Sequence, residues 1–248
     1  MMWAERVALQ LNGSGPRVVC DLHDSHPVIV SKVLMPGVGP LEMDTYDCDQ
    51  FEGIPTYCPG NDDVSRTLHL YGHWEPLGSA WVSEILTDSA GLVIDVGCQI
   101  GWYSLMATML AHPVLAIDAV AEHVEMTKAT LDMNGKMAAT CLAWLDDDTP
   151  EVNGEGAPMV TLMKVDIEGA ERHALRVFNP LIEARKIKNI TLEMSPVFND
   201  SYEEIIRYLD AKHYSIFSLD NRRHLTRSDA IAMLKSVPQF DLLFRLTR

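Results

Sequence analysis

Basic residues are scarce in this sequence. Lysine and arginine total 20 against 35 aspartates and glutamates, a formal net charge of −15. No Lys/Arg run occurs, so the positive footprint of a protein that grips phosphate backbones is missing, and no nucleic-acid partner is expected. Cysteine is sparse too. Five thiols, an odd number without framework spacing, fit a reducing compartment better than a disulfide scaffold. No apolar run approaches the roughly eighteen residues that a membrane span needs. The first residues, with Gln10, Asn12 and Gly13 close behind, hold no apolar core of the signal-peptide kind. The expectation is a cytoplasmic protein without a membrane span.

What is present supports a full core: 47% of 248 residues are hydrophobic, enough for one large α/β domain or two small ones. The most informative stretch is 92–104. Leu92 to Ile94 lead into Asp95, Gly97 and Gly101 follow, and an apolar segment at helical spacing begins at Trp102. That order predicts a buried strand, a tight glycine turn and a helix start. Glycine lets a ligand approach the backbone, and in open α/β sheets ligands bind where a strand gives way to its helix. Gly97 to Gly101 is therefore read as a cofactor loop. A dinucleotide fingerprint would need a third glycine, and a P-loop would need Gly-Lys-Ser/Thr; neither is there. The pattern Asp95-x-Gly97-x-x-x-Gly101 resembles motif I of class I S-adenosylmethionine-dependent methyltransferases. That resemblance implies a loop wrapped around the methionine part of the cofactor, with Asp95 near its amino group.

The segments that follow extend the pattern. Pro113–Asp118 predicts a second strand ending in an acid, and Asp118 there is placed to bind two ribose hydroxyls. No basic residue surrounds it in sequence, which speaks against a phosphorylated ribose. Residues 121–133 predict a helix capped by Asn134 and Gly135. Residues 137–145 predict a third strand followed by three aspartates, of which Asp146 is the candidate to reach an adenine amino group. Before the glycine loop, Pro76 suits a first helical turn, and Tyr71, Trp74 and Glu75 are candidates to touch cofactor or substrate. Further on, 159–165 predicts a strand running into Asp166, Glu168 and Glu171. Alternation lets Asp166 and Glu168 share a side, and acids so crowded raise one another's pKa.

Lys164-x-Asp166-x-Glu168-Gly169-x-Glu171, with the glycine loop, resembles the FkbM family of methyltransferases. Glu193-x-x-Pro196 after the fifth strand and Gly72-x-Trp74-Glu75-Pro76 upstream are similar to that family's pattern as well. The resemblance covers roughly residues 70–246. It implies a Rossmann-like, doubly wound α/β sheet of seven strands with the last inserted antiparallel. It also implies S-adenosylmethionine as cofactor and O-methylation of a hydroxyl on a small molecule or glycan. Cys98, Gln99 and Ala119 depart from the family's usual residues, with Gln99 retaining hydrogen-bonding capacity toward the cofactor.

Residues 1–69 are expected to be a separate β-rich extension or cap, with strands at 17–22 and 27–34, and residues 70–248 the cofactor-binding domain. The carboxyl edge of the sheet supplies the catalytic candidates Asp166, Glu168 and Glu193, with Asp166 or Glu168 preferred as base or anchor. His73 and His173 are alternatives. Cys48, Cys58, His69 and His73 could form a zinc set, but the C-x-x-C knuckle is missing and no metal is expected. Two other classes are weighed: a non-catalytic binding module on the same fold, and a nucleotide-dependent oxidoreductase. The sequence leaves the acceptor and the oligomeric state open.

Overall fold

The computed structural model describes residues 3–11, 26–29, 55–58, 64, 67–68, 73–198 and 201–247. In chain order the elements are α1 (Trp3–Leu11), β1 (His26–Ile29), β2 (Pro55–Cys58), α2 (Pro76–Thr87), β3 (Leu92–Val96), α3 (Trp102–Met109), β4 (Val114–Asp118), α4 (Ala121–Met133), β5 (Ala139–Leu142) and β6 (Val160–Val165). They continue as α5 (Glu171–Val177), α6 (Asn179–Glu183), β7 (Asn189–Met194), α7 (Tyr202–Ala211), β8 (Tyr214–Ser218), β9 (His224–Leu225), α8 (Arg227–Met233) and β10 (Phe240–Leu246).

The main sheet runs β5-β4-β3-β6-β7-β10-β8-β9. Strands β5, β4, β3, β6 and β7 pair in parallel, and β10 lies antiparallel between β7 and β8. The seven expected strands are all present, and the last one inserts as expected. The sheet nonetheless has eight strands, because the two-residue β9 pairs with β8. A strand that short leaves no alternation to read.

Helices cover both faces, so the central strands read as apolar runs; every residue of β3 and β4 is buried. One face packs Ile94, Leu115, Ile117 and Met163 against α1 and α5 to α8. The other packs Val93, Ala116 and Leu162 against α2, α3 and α4. Over 170–185, where the sequence predicts a helix broken or kinked at Pro180, the chain forms two helices, α5 and α6, since Pro180 near the start of α6 cannot donate to the turn before it. The expected strand at 137–145 is shorter, Ala139–Leu142.

The N-terminal segment differs from its expectation in one respect. Besides the antiparallel pair β1–β2, it carries a helix, α1, whose Trp3, Val7, Ala8 and Leu11 are buried in the main core. Trp3 Nε1 donates to the Asn153 carbonyl at 2.9 Å and Gln10 Nε2 to that of Glu151 at 3.0 Å, fastening α1 to the loop before β6. The strand expected at 17–22 lies outside the described residues, as do Cys48, His69 and the side chain of Cys58 from the zinc reading. No helix among the described residues is long and apolar enough to cross a membrane.

Candidate active site

A cleft of about 920 Å³ opens at the carboxyl ends of β3, β4, β6 and β7. Its lining includes Gly97, Gln99, Asp118, Trp144, Asp166, Glu168 and Glu193, drawn from segments far apart in sequence. The parallel strands all end at this edge, which is why their loops converge.

The glycine loop forms one side. Gly97 has φ +81°, and a Cβ built on it would lie 1.8 Å from the carbonyl oxygen of Asp166. The loop after β3 thus crosses the loop after β6 at a point where no side chain fits. Gly101, with φ +85°, is the N-cap of α3 and lies against Thr127. Between them Cys98 and Ile100 are buried in the core, and Gln99 holds a left-handed backbone with φ 48°. Three hydroxyl–acceptor bonds from α4 pin the loop. Thr127 Oγ1 donates to the Gln99 carbonyl at 3.0 Å and to Cys98 Sγ at 3.4 Å, and Thr130 Oγ1 donates to the Ile100 carbonyl at 3.1 Å.

Asp118 closes this side. Its Oδ2 accepts from the Gln99 backbone N–H at 2.9 Å, and Oδ1 accepts from the Val120 N–H at 2.9 Å and faces His123 Nδ1 at 3.1 Å. The carboxylate is 7% exposed and lines the cleft. One turn of α4 brings His123 back to Asp118. Next to Asp118, an apolar recess of about 70 Å³ is formed by Ile117, Ala119, Trp144, Ile167 and Ala170, among others.

The other side is acidic. Asp166 and Glu193 follow the aligned register Val96, Val165 and Leu192 of three adjacent parallel strands, and Asp241 on β10 pairs directly with Glu193. Lys164 Nζ donates to Asp166 Oδ2 at 2.9 Å and stands 5.1 Å from the centre of the Tyr103 ring. Ser195 Oγ and Gln239 Nε2 both donate to Glu193 Oε1, at 2.8 and 2.6 Å. Burial pushes Glu193 up to about 8, helped by the hydrogen bond and charge of Asp166. Asp166 is half-buried, and against that desolvation the Lys164 ammonium and the proton shared with Glu193 carry it below the usual carboxylate range. Asp241, half-buried on β10, is raised well above that range by desolvation and by the charges of Glu75, Glu193, Asp220 and Asp166. Lys164 is held firmly charged: the desolvation that would lower it is outweighed by Asp166, Asp95 and Glu75.

The remaining expected residues separate into those that reach the cleft and those that do not. Glu168 reaches it, exposed and with φ 49°. Asp95 lies beneath the cleft, 1% exposed, with Oδ2 accepting from Ser104 Oγ at 2.6 Å and a buried Oδ1 that meets no protein donor. Burial raises its pKa. Glu75 is the left-handed N-cap of α2; its Oε2 accepts from the Tyr103 hydroxyl at 2.5 Å, and burial raises it as well. Asp146 folds back on its own loop, where Oδ1 accepts from Thr149 N, Thr149 Oγ1 and Asp148 N, and these bonds lower its pKa. Glu171 is fully buried and accepts from the Ile167 and Gly169 N–H groups and from the Tyr202 hydroxyl. It braces the turn that presents Glu168. His173 pairs with Asp147 at 3.2 Å rather than facing the cleft, and His73 is buried outside it. Among the described residues no group of three His, Cys, Asp or Glu side chains is placed to hold a metal ion.

Several lining or bracing residues escaped the sequence reading: His123, Thr127, Thr130, Gln239 and Asp241. The first three carried a signal, since positions 123, 127 and 130 recur at helical spacing as a polar stripe on a helix that packs against the core. Gln239 and Asp241 carried none, because their place depends on β10 lying next to β7.

No known family profile and no curated protein matches the sequence. Solved structures do. One is a TehB-like SAM-dependent methyltransferase from Corynebacterium glutamicum, at 12% identity and TM-score 0.48, covering 73% of this chain and 94% of that one. A second is the magnesium protoporphyrin IX methyltransferase of Synechocystis with bound SAM, at 14% and 0.47, covering 75% and 85%. A third is a ribosomal protein L11 methylase from Lactobacillus delbrueckii, at 15% and 0.42, covering 71% and 81%.

Proposed function

We propose that this chain is an S-adenosylmethionine-dependent methyltransferase of the FkbM kind, methylating a hydroxyl on a small molecule or glycan. The observation that carries the reading is the convergence of the glycine loop, Asp118 and the apolar recess on one side of a cleft whose other side is acidic. The residues fit the cofactor. Gly97 lets the loop after β3 pass against the loop after β6 at the edge of the cleft, Asp118 lines the cleft with a carboxylate suited to ribose hydroxyls, and the recess beside Trp144 has an apolar lining suited to an adenine ring. Asp95, expected near the cofactor's amino group, does not line the cleft; it lies beneath the loop and accepts from Ser104 Oγ. Asp146, its carboxylate spent on its own turn, has the weakest claim among the expected cofactor ligands.

S-adenosylmethionine would supply a methyl group already activated on a positive sulfur. The protein's share is to hold the acceptor in line and to receive its proton. Asp166, Glu168 and Glu193 face the cleft for that task. An acceptor without phosphate charge suits so acidic a wall. Val64 also lines the cleft, which supports the reading of residues 1–69 as a cap over the substrate side.

A second reading, a non-catalytic binding module, draws on Asp118. Both its oxygens already accept from the protein's own loop, so the carboxylate has a structural duty without any ligand. Calorimetric titration with S-adenosylhomocysteine, with NADH as control, separates the readings. Micromolar binding of the first alone, weakened about 10- to 100-fold in Asp118→Ala, supports the methyltransferase. Binding of neither leaves the binding module; binding of NADH alone points to an oxidoreductase.

A further inference from the structure

Three carboxyls stand side by side on three neighbouring strands: Asp166 after β6 and Glu193 on β7, which line the cleft, and Asp241 on β10 beside Glu193. Glu193 is the middle one. We infer that Glu193, not Asp166 or Glu168, is the group that takes the acceptor's proton, and that Asp166 and Lys164 are positioning residues that set its basicity. The inference rests on the methyltransferase reading.

The three candidate bases differ in what already holds them. Asp166 is tied to the Lys164 ammonium at 2.9 Å, and a carboxylate neutralised by a fixed cation is a weak proton acceptor. Glu168 is exposed on the turn before α5, with solvent rather than other acids around it. Among the described residues the donors to Glu193 are neutral, Ser195 and Gln239, and both bind Oε1. Its carboxyl also shares a hydrogen bond with Asp166. A base works best when its affinity for the proton matches the working pH, and burial between two other acids moves a carboxylate that way.

The charged and titratable groups around Glu193 act in opposite senses. Asp166 on the neighbouring strand favours its protonated form, Lys164 on β6 opposes it, and Asp241 on β10 and Tyr202 on α7 complete the surroundings. By holding Asp166 ionised, Lys164 keeps the shared proton on Glu193 until pH removes it. In the reaction the acceptor O–H bond breaks toward the Glu193 carboxylate as the oxygen–methyl bond forms. The electron pair of the broken sulfur–carbon bond stays on sulfur, and the proton then leaves Glu193 for solvent.

The test is an infrared titration of the full chain without ligand, following the C=O stretch of protonated carboxyl groups from acid to alkaline pH. The wild type should lose one band with a midpoint near 8, and Glu193→Gln should lack that transition. Asp166→Asn should move the midpoint down by about one pH unit or more, and Lys164→Met should move it up. Opposite shifts distinguish charge tuning from a structural disturbance, and if Asp166→Asn fails to fold, Lys164→Met carries the comparison. A Glu193 transition in the ordinary carboxylate range, or a midpoint that neither variant moves, overturns the inference. Those outcomes alongside intact S-adenosylhomocysteine binding would leave the methyltransferase reading standing; loss of that binding alone would remove the latter.

Discussion

At Gly97 two loops pass so closely that the residue type follows from geometry. A Cβ there would meet the Asp166 carbonyl oxygen at 1.8 Å, and the positive φ adds strain for any side chain. Gly97→Ala should therefore destabilise the fold by about 2–4 kcal/mol in chemical denaturation and weaken S-adenosylhomocysteine binding together with it. A variant with native stability and native binding would show that the crossing is loose. Three non-glycine residues near the site, Glu75, Gln99 and Glu168, also hold left-handed backbones. Such strain persists where surrounding structure over-determines it, and here each is followed within two residues by a helix start or a tight turn.

At the scale of elements, the β6–α5 turn depends on Glu171. Its carboxylate receives the N–H groups of Ile167 and Gly169 and the Tyr202 hydroxyl in a fully buried position. Glu171→Ala would leave those donors without an acceptor and should cost about 3–5 kcal/mol, read as a lowered denaturation midpoint. An effect on turnover at unchanged stability would instead place Glu171 in the chemistry. Sequence crowding of Asp166, Glu168 and Glu171 suggested one shared acidic site. The structure divides them: two face the cleft, and the third braces the turn from below, because the helical twist beginning at Glu171 carries its side chain inward. The α1 helix shows a pattern that went unused. Positions 3, 4, 7, 8 and 11 recur at helical spacing and all are buried.

At the scale of the whole molecule, α1 makes the N-terminus part of the core. Leu11 is 0% exposed within it, and Leu11→Ala should cost about 2–5 kcal/mol in global unfolding despite lying far in sequence from the cofactor loop. A cost near zero would mean that α1 packs independently of the sheet. The acid row also gives the fold a pH dependence. Glu193 is raised in the folded chain from an unfolded value near 4.5 to about 8, so folding takes up a proton in that window. Stability held below the unfolded value is lost as pH rises through the folded one. Asp241, also raised, acts in the same direction. Thermal unfolding midpoints should fall from pH about 5 to about 8.5, with a shallower slope in Glu193→Gln. A slope unchanged by that substitution would assign the dependence to other groups.

The sequence by itself determined the alternation of apolar runs and helical segments, the glycine loop after β3, and the acids at the ends of β4, β6 and β7. These are local signals, written in periodicity and in residues that only a turn or strand end accommodates. Tertiary structure alone decided which of those acids meet. Asp146 turned back on its own loop, Asp95 sank beneath the cleft, and Asp241 arrived beside Glu193 only because β10 inserts antiparallel next to β7. The basicity of Glu193 belongs to that second category. It arises from burial and from Asp166 on the neighbouring strand, more than twenty-five residues away, a distance over which sequence carries no record of contact.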